Sequence, residues 1–149
     1  MEKKYIILLL VLFLIVGLVA YFNFYNPDEI RVGDSKFHLP DGYHEGAVRE
    51  NGDINITNQY TSVFIHQYED DNAVKYAHDY IKERNESNFT ANLMNFTAGD
   101  KTVYKTTIVG QPQSLHYWFV QNGKAYTFYT WDGNDNMDLL IKDMITSAS

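Results

Sequence analysis

The sequence predicts an α+β fold: an N-terminal transmembrane helix, then an antiparallel β-sheet domain with two packed helices. Three observations lead to this prediction: an uninterrupted apolar segment at the N-terminus, several short alternating segments separated by turn residues, and two segments with helical periodicity. Because hairpin turns dominate the connections, we expect antiparallel pairing of the strands. The length of 149 residues allows one domain besides the membrane helix.

Composition restricts the classes of protein that remain. The chain has no cysteine, a formal net charge of −7 and 15% aromatic residues. The lack of cysteine excludes disulfides, thiolate metal sites and a cysteine nucleophile. Nucleic-acid binding requires a Lys/Arg patch, so the acidic balance predicts that nucleic acid is not a partner.

The N-terminal segment gives the strongest signal. Residues 5–22 form the sequence YIILLLVLFLIVGLVAYF, and no charge occurs from Tyr5 through Pro27. At about 1.5 Å per residue this helix spans about 27 Å, close to the hydrocarbon thickness of a bilayer. We therefore predict a transmembrane anchor over residues 5–25, which is the chain's contact with the membrane, and a cytoplasmic N-terminus over residues 1–4.

Charges on either side of the anchor predict its orientation. Lys3 and Lys4 precede the apolar segment, whereas Asp28 and Glu29 follow it. Positive charges favour the cytoplasmic side, which predicts a single-pass protein of the cell membrane with its C-terminal domain outside. A cleaved signal peptide is the alternative, although its apolar region is usually shorter and the sequence at residues 18–20 is a poor cleavage site.

Residues 26–34 are predicted to be a polar tether, and residues 35–149 the extracytoplasmic α+β domain. Apolar alternation and turn residues delimit the strands, and a 3.6-residue period delimits the helices. The predicted order is strands at 35–39, 45–49, 53–57 and 60–68, a helix capped within 70–72, strands at 89–96, 102–109, 114–121 and 124–131, and a helix over 137–148 capped by Asn134 or Asp135.

The most specific local prediction is the hairpin at Asn122-Gly123. A two-residue type I′ turn pairs Gln121 with Lys124 and continues that register along both strands. One face of the hairpin then carries aromatic side chains beside polar groups, a combination that suits a sugar or protein partner. This candidate binding face consists of His116, Trp118, Tyr129 and Trp131. The alternative is that this face is core, because a helix must pack on one side of the hairpin.

Several segments together resemble a known domain family. They are the first strand and its turn (37–43), the strand, acidic turn and helix (63–81), the aromatic hairpin, and the closing helix (137–145). In this order they resemble the PsbP/Mog1-like α/β/α domain over residues 35–147. The anchor and domain together also resemble short membrane-anchored proteins of methane-producing archaea. The family includes a photosystem extrinsic subunit and a nuclear-transport partner protein, so the resemblance implies an interaction module more than an enzyme, without catalytic residues to carry over.

Histidine and carboxylate patterns predict no catalytic residue, metal site or cofactor. The five histidines include no HExxH pair. His66 and His116 lie on predicted strands, where a hydrogen-bonded histidine is ordinary. Residues 132–138 alternate oxygen side chains like the start of an EF-hand loop, but Met137 occupies the position that requires glycine. Helix capping explains the same residues.

Four N-x-[ST] sequons mark possible glycosylation sites at Asn55, Asn85, Asn88 and Asn95, although polar loop composition also accounts for them. The predicted function is an anchored extracytoplasmic domain that binds an unknown protein or glycan partner or has a structural role at the cell surface. The alternative is a small envelope hydrolase or ligand-binding enzyme. A pocket with converging polar groups favours the alternative, and a flat aromatic patch favours the first function.

Overall fold

The computed structural model describes residues 3–24 and 28–149 of the chain. An apolar N-terminal helix precedes the sheet, and two further helices pack on the sheet, as predicted. The helices are α1 (Lys3–Phe24), α2 (Ala73–Glu86) and α3 (Asp135–Ser147). The strands are β1 (Glu29–Val32), β2 (Ser35–His38), β3 (His44–Glu45), β4 (Ile54–Thr57), β5 (Ser62–Gln67), β6 (Ala91–Ala98), β7 (Lys101–Ile108), β8 (Gln111–Gln121) and β9 (Lys124–Thr130).

The helix α1 is long and apolar enough to cross a membrane over Lys4–Tyr21, and none of that segment is buried in the structure. This supports the predicted association with a membrane. A cleaved signal sequence passes the same test, so retention of the anchor and its orientation stay predictions. The predicted anchor includes residue 25, which lies outside the described residues.

Seven strands form one antiparallel sheet in the order β3-β4-β5-β9-β8-β7-β6, and β1 pairs with β2 in a separate hairpin. The predicted α+β class is therefore confirmed. The hairpin of β1 and β2 corrects the predicted tether over residues 26–34, because residues 29–32 form a strand. Ile30 and Val32 alternate with polar residues and are buried, which is the period of a half-buried strand. Residues 26 and 27 lie outside the described residues.

The hairpin of β8 and β9 has the predicted register. Gln121 lies opposite Lys124, and Phe119 lies opposite Tyr126. Asn122 and Gly123 both have positive φ, 51° and 71°, as a type I′ turn requires. The strand predicted over residues 45–49 is much shorter than expected, since β3 contains two residues.

The two faces of the sheet are covered unequally. On one face α3 and the β1–β2 hairpin enclose the larger core, in which Phe37 and Ile141 are fully buried. Asn134 caps α3 by accepting a hydrogen bond from the backbone N–H of Met137 at 3.0 Å. On the other face α2 buries Ala73 and Ala77 against Trp118. This helix covers only part of its face, and a cleft remains beside it.

Candidate functional site

An open cleft of about 400 Å³ lies between α2 and the uncovered part of the sheet. Strands β5, β8 and β9 form its floor, α2 forms one wall, and the segment before β4 forms the other. Side chains of the floor are His66, Tyr68, His116, Trp118, Thr127 and Tyr129; those of the walls are Asn51, Asp53, Tyr76, Asp79, Tyr80 and Glu83.

Cross-strand register brings the floor residues together. Phe64 lies opposite Tyr129, which in turn lies opposite His116. The ring centroids of Phe64 and Tyr129 are 5.2 Å apart, and those of Tyr129 and His116 are 5.3 Å apart with an interplanar angle of 9°. Stacking on neighbouring strands therefore occupies the ring faces and fixes the ring orientations.

The predicted binding face is placed on this side of the sheet, but most of it is packed. His116, Trp118 and Tyr129 are buried, and only Trp131 is exposed, at 49%. Trp131 does not line the cleft; its ring packs against those of Phe64 and Tyr129. Polar groups converge in the cleft in place of the flat aromatic patch that the sequence suggested, which is the arrangement expected of the alternative, a small hydrolase or ligand-binding enzyme, rather than of a flat interaction surface.

A buried carboxylate organises the polar end of the cleft. The side chain of Asp53 is only 4% exposed, and its Oδ1 lies 2.6 Å from Nδ1 of His66. Its Oδ2 accepts hydrogen bonds from the hydroxyl of Tyr129 and from Nδ2 of Asn51, the latter at 2.9 Å. Burial, followed by this hydrogen bond to Asp53, raises the pKa of Tyr129 to about 12. Tyr129 therefore remains a neutral donor to the carboxylate.

This arrangement fixes the imidazole of His66. A carboxylate oxygen accepts hydrogen bonds, so Nδ1 of His66 is the nitrogen that carries a hydrogen and donates it in a hydrogen bond to Oδ1 of Asp53. In neutral His66 the other nitrogen, Nε2, is then an acceptor, and it has no hydrogen-bond partner within the described part of the chain. The side chain is 39% exposed and lines the cleft. The side chain of His66 thus places an oriented hydrogen-bond acceptor, Nε2, in the lining of the cleft.

The second histidine of the floor is in a different environment. Burial, and then the positive charge of Arg84, lower the pKa of His116 to about 3. Its Nε2 lies 3.0 Å from the hydroxyl of Tyr80 on α2. The neutral imidazole therefore joins the floor to the wall of the cleft, whereas His66 keeps a free nitrogen.

Carboxylates on the α2 wall are largely paired along the helix. Asp79 accepts a hydrogen bond from Nζ of Lys75 at 3.0 Å, and Glu83 lies 3.7 Å from the guanidinium of Arg84. Among the described residues that line the cleft, neither lysine nor arginine occurs. The cleft is therefore unsuited to phosphate or carboxylate ligands, which need such donors.

Arg49 holds the opposite wall in place. Its guanidinium carbon lies 4.7 Å from the ring centroid of Phe64 and 5.3 Å from that of Trp131. Its NH1 donates a hydrogen bond of 3.3 Å to the hydroxyl of Tyr129.

Sequence reasoning missed Asn51 and Asp53 as site residues. Asp53 meets His66 of β5 and Tyr129 of β9 only in the folded chain, and the Asn51-Gly52 dipeptide indicated only a turn.

The remaining predicted positions are dispersed. His38 and His44 are exposed and do not line the cleft. Asn88 and Asn95 are exposed, while Asn85 uses its side-chain oxygen to accept a hydrogen bond from the backbone of Ala91. The sequon Asn55 lies on β4 with its side-chain oxygen buried.

The segment that resembles an EF-hand loop uses its carboxylates in contacts within the fold. Asp132 accepts a hydrogen bond from the backbone of Ser62 at 3.1 Å, and Asp138 binds Lys105 at 2.7 Å and Lys142 at 2.8 Å. Over residues 3–24 and 28–149, no group of three or more His, Asp or Glu side chains is arranged to hold a metal ion.

Comparison with known proteins relates the fold to one structural class. The chain is similar to cyanobacterial PsbP (CyanoP) from Synechocystis sp. PCC 6803, with a TM-score of 0.54 and 14% identity, over 84% of this chain and 94% of that chain. This likeness supports a PsbP-like fold. No family model matches the chain, and no curated protein matches its sequence.

Proposed function

We propose that this chain is a membrane-anchored, extracytoplasmic domain that binds a neutral, hydroxyl-rich ligand such as a glycan in the cleft beside α2. The proposal includes retention of the anchor over residues 5–25 and a location of residues 35–149 at the cell surface. The observation that carries it is His66, which lines the cleft with Nδ1 held by Asp53 and with Nε2 left without a hydrogen-bond partner within the described residues. The likeness to membrane-anchored proteins of methane-producing archaea belongs to the same proposal.

The chemistry of the cleft favours hydroxyl groups over anionic ones. Asn51, Asp79 and Glu83 supply planar amide and carboxylate groups, and His66 supplies an imidazole nitrogen. Asn51 already bonds Asp53 and Asp79 already bonds Lys75, but their oxygens keep further lone pairs that can accept hydrogen bonds from hydroxyls, and Asn51 keeps one N–H to donate. An anionic ligand would meet the carboxylates of Asp79 and Glu83, and neither lysine nor arginine occurs in the described lining of the cleft. The volume of about 400 Å³ falls within the range of small-ligand sites.

Titration of the full chain in lipid nanodiscs tests this function. Neutral oligosaccharides and their uronic-acid counterparts are added, and binding is measured by calorimetry. We expect a neutral oligosaccharide to bind, and His66→Ala to weaken its binding at least tenfold, the loss typical of a buried polar contact. His78→Ala is the matched control, because His78 is exposed on α2 and does not line the cleft. Equal affinity in both variants, or a preference for the acidic sugars, would contradict the proposal.

The pair of Asp53 and His66 also supports a second function, hydrolysis. A carboxylate that holds Nδ1–H of a histidine orients Nε2 as a general base, here for a water molecule or a substrate hydroxyl. Turnover of chromogenic ester and glycoside substrates by the full chain tests this alternative. Activity that is lost in both Asp53→Asn and His66→Ala would favour an envelope hydrolase. Binding without turnover would favour the glycan-binding function.

A further inference from the structure

Strand β6 (Ala91–Ala98) ends the order of the seven-stranded sheet, and only one of its edges is paired, with β7. Val109 N donates to Thr90 O at 2.8 Å, so the even-numbered residues of this strand hydrogen-bond to β7. The odd-numbered residues direct their backbone groups outwards. Among them, Ala91 N donates to the side chain of Asn85. The outward backbone groups of Leu93, Asn95 and Thr97 are available for a further strand.

This edge lacks the usual protection against pairing. Natural edge strands are blocked by charges, prolines, bulges or short length. The sequence of β6, ANLMNFTA, has eight residues without charge or proline, in a chain of net charge −7. Met94 is 56% exposed in the middle of the strand. The opposite edge of the sheet, β3, has only two residues.

We propose that β6 pairs antiparallel with β6 of a second copy of this chain, about a twofold axis at Asn95. This register places Leu93 opposite Thr97 of the second copy and Asn95 opposite itself, so all three outward-facing residues find partners. It also places exposed Met94 opposite Phe96 of the second copy, on the face where Phe96 is partly buried against α3. The two seven-stranded sheets join into one continuous sheet.

A second copy suits this edge better than an unrelated extended segment. The strand is self-complementary in the twofold register, and a homodimer interface of this kind is isologous. Two chains of net charge −7 repel each other. This electrostatic repulsion is smallest when two copies approach through the uncharged edge. The apolar helix α1 would also concentrate copies in one membrane plane.

The same position links pairing to glycosylation. Asn95 begins the sequon Asn95-Phe96-Thr97 and lies at the twofold axis. Paired residues that exchange hydrogen bonds across antiparallel strands have Cα atoms about 5.5 Å apart, which leaves no room for two glycans. A glycosylated Asn95 and a β6–β6 pair are therefore mutually exclusive.

Cysteine crosslinking in the full chain tests the pairing, since the sequence contains no cysteine. The chain is produced in a host without N-glycosylation, and membranes that carry Asn95→Cys or Thr97→Cys are oxidised. Two cysteines at position 95 match the Cα separation of a disulfide. Two at position 97 would be four residues apart along the strand, about 13 Å. We expect at least tenfold more disulfide dimer for Asn95→Cys. Equal crosslinking of the two variants, or of neither, would overturn the proposed register.

A charge variant provides an independent measurement. Asn95 is exposed, so Asn95→Lys should fold, which circular dichroism checks. The variant places two like charges opposite each other at the axis and should abolish the dimer in sedimentation of the detergent-solubilised chain. Asn136→Lys is the matched control, because Asn136 is exposed and lies on α3, outside β6. A dimer that persists in Asn95→Lys would assign association to another part of the chain and overturn the proposal.

Discussion

The hydroxyl of Tyr80 lies 3.0 Å from Nε2 of His116, and this contact joins α2 to β8 across the floor of the cleft. Because burial and Arg84 lower the pKa of His116 to about 3, the folded chain keeps this imidazole neutral where the unfolded chain protonates it. At pH values below the ordinary histidine pKa of 6.5, the unfolded state binds more protons than the folded state. The contribution of neutral His116 to stability is therefore complete above pH 6.5 and is lost progressively as the pH falls towards 3.

His116→Gln should reduce the loss of folding stability that occurs as the pH falls. Urea denaturation of the full chain at pH 7 and pH 4 measures the free energy of unfolding. We expect the difference between the two pH values to be smaller in His116→Gln than in the natural chain. His78→Gln removes an exposed imidazole and should leave the difference unchanged. The same pH dependence in the natural chain and in His116→Gln would show that His116 does not cause the loss.

Asp138 joins α3 to the sheet, and its removal should destabilise the fold. Its Oδ1 accepts hydrogen bonds from the hydroxyl of Tyr117 at 2.5 Å and from Lys105 at 2.7 Å. We expect Asp138→Asn to lower the free energy of unfolding by about 1–3 kcal/mol, the cost of leaving buried donors unsatisfied. Asp135→Asn, an exposed change in the same helix turn, should cost less. Urea denaturation at pH 7 compares the two variants.

The effect of Asp138 should also depend on pH. Burial alone would raise the pKa of Asp138, but hydrogen bonds from Lys105, Lys142 and Tyr117 outweigh it and lower the pKa to about 2. The stability due to the ionised carboxylate is therefore present above the ordinary value of 3.8 and is lost as the pH falls to about 2. The difference between the natural chain and Asp138→Asn should narrow over this interval. A difference that is constant from pH 7 to pH 2 would contradict this explanation.

The larger core should be sensitive to Ile141. This side chain is fully buried where α3 meets the sheet, so Ile141→Ala removes buried apolar surface and leaves a cavity. We expect a loss of about 2–5 kcal/mol in the free energy of unfolding. Leu139→Ala is the control, since Leu139 is 61% exposed. Equal small losses in the two variants would mean that α3 is not docked in solution.

The orientation of the chain in the membrane is tested by proteolysis of intact spheroplasts. If the domain is outside, added protease should digest residues after 25 and leave the anchor protected. N-terminal sequencing of the mature chain then distinguishes a retained anchor from a cleaved signal peptide. A domain that resists protease until the membrane is permeabilised would place it in the cytoplasm.

Local signals in the sequence were sufficient for the hairpin and both helices that pack on the sheet. Asn122-Gly123 specifies a turn whose length sets the register of β8 and β9. Asn134 is the N-cap of α3 and directly precedes its first residue, Asp135. These features depend on neighbours along the chain. Their physical causes are the positive φ of a turn and an unsatisfied backbone N–H at a helix start, and each depends on only a few consecutive residues.

The cleft depends on contacts that no local pattern encodes. Asp53 and His66 are 13 residues apart and meet because β4 and β5 pair, and Tyr129 reaches the same carboxylate from β9. The sequence indicated aromatic side chains on this face, but not how far α2 would cover them. Coverage depends on where a helix docks, so the burial of Trp118 and the exposure of Trp131 could not be predicted.

The unequal covering of the two sheet faces has a kinetic consequence. Of the described residues, seventeen form the buried cluster under α3 and the β1–β2 hairpin, whereas four form the cluster under α2. The helix with fewer buried contacts should detach first, so amide protons of α2 should exchange through an opening that leaves the sheet intact. Because α2 is also a wall of the cleft, the frequency of this opening should limit how fast a ligand enters and leaves. A ligand that contacts Tyr80 should slow amide exchange throughout the helix.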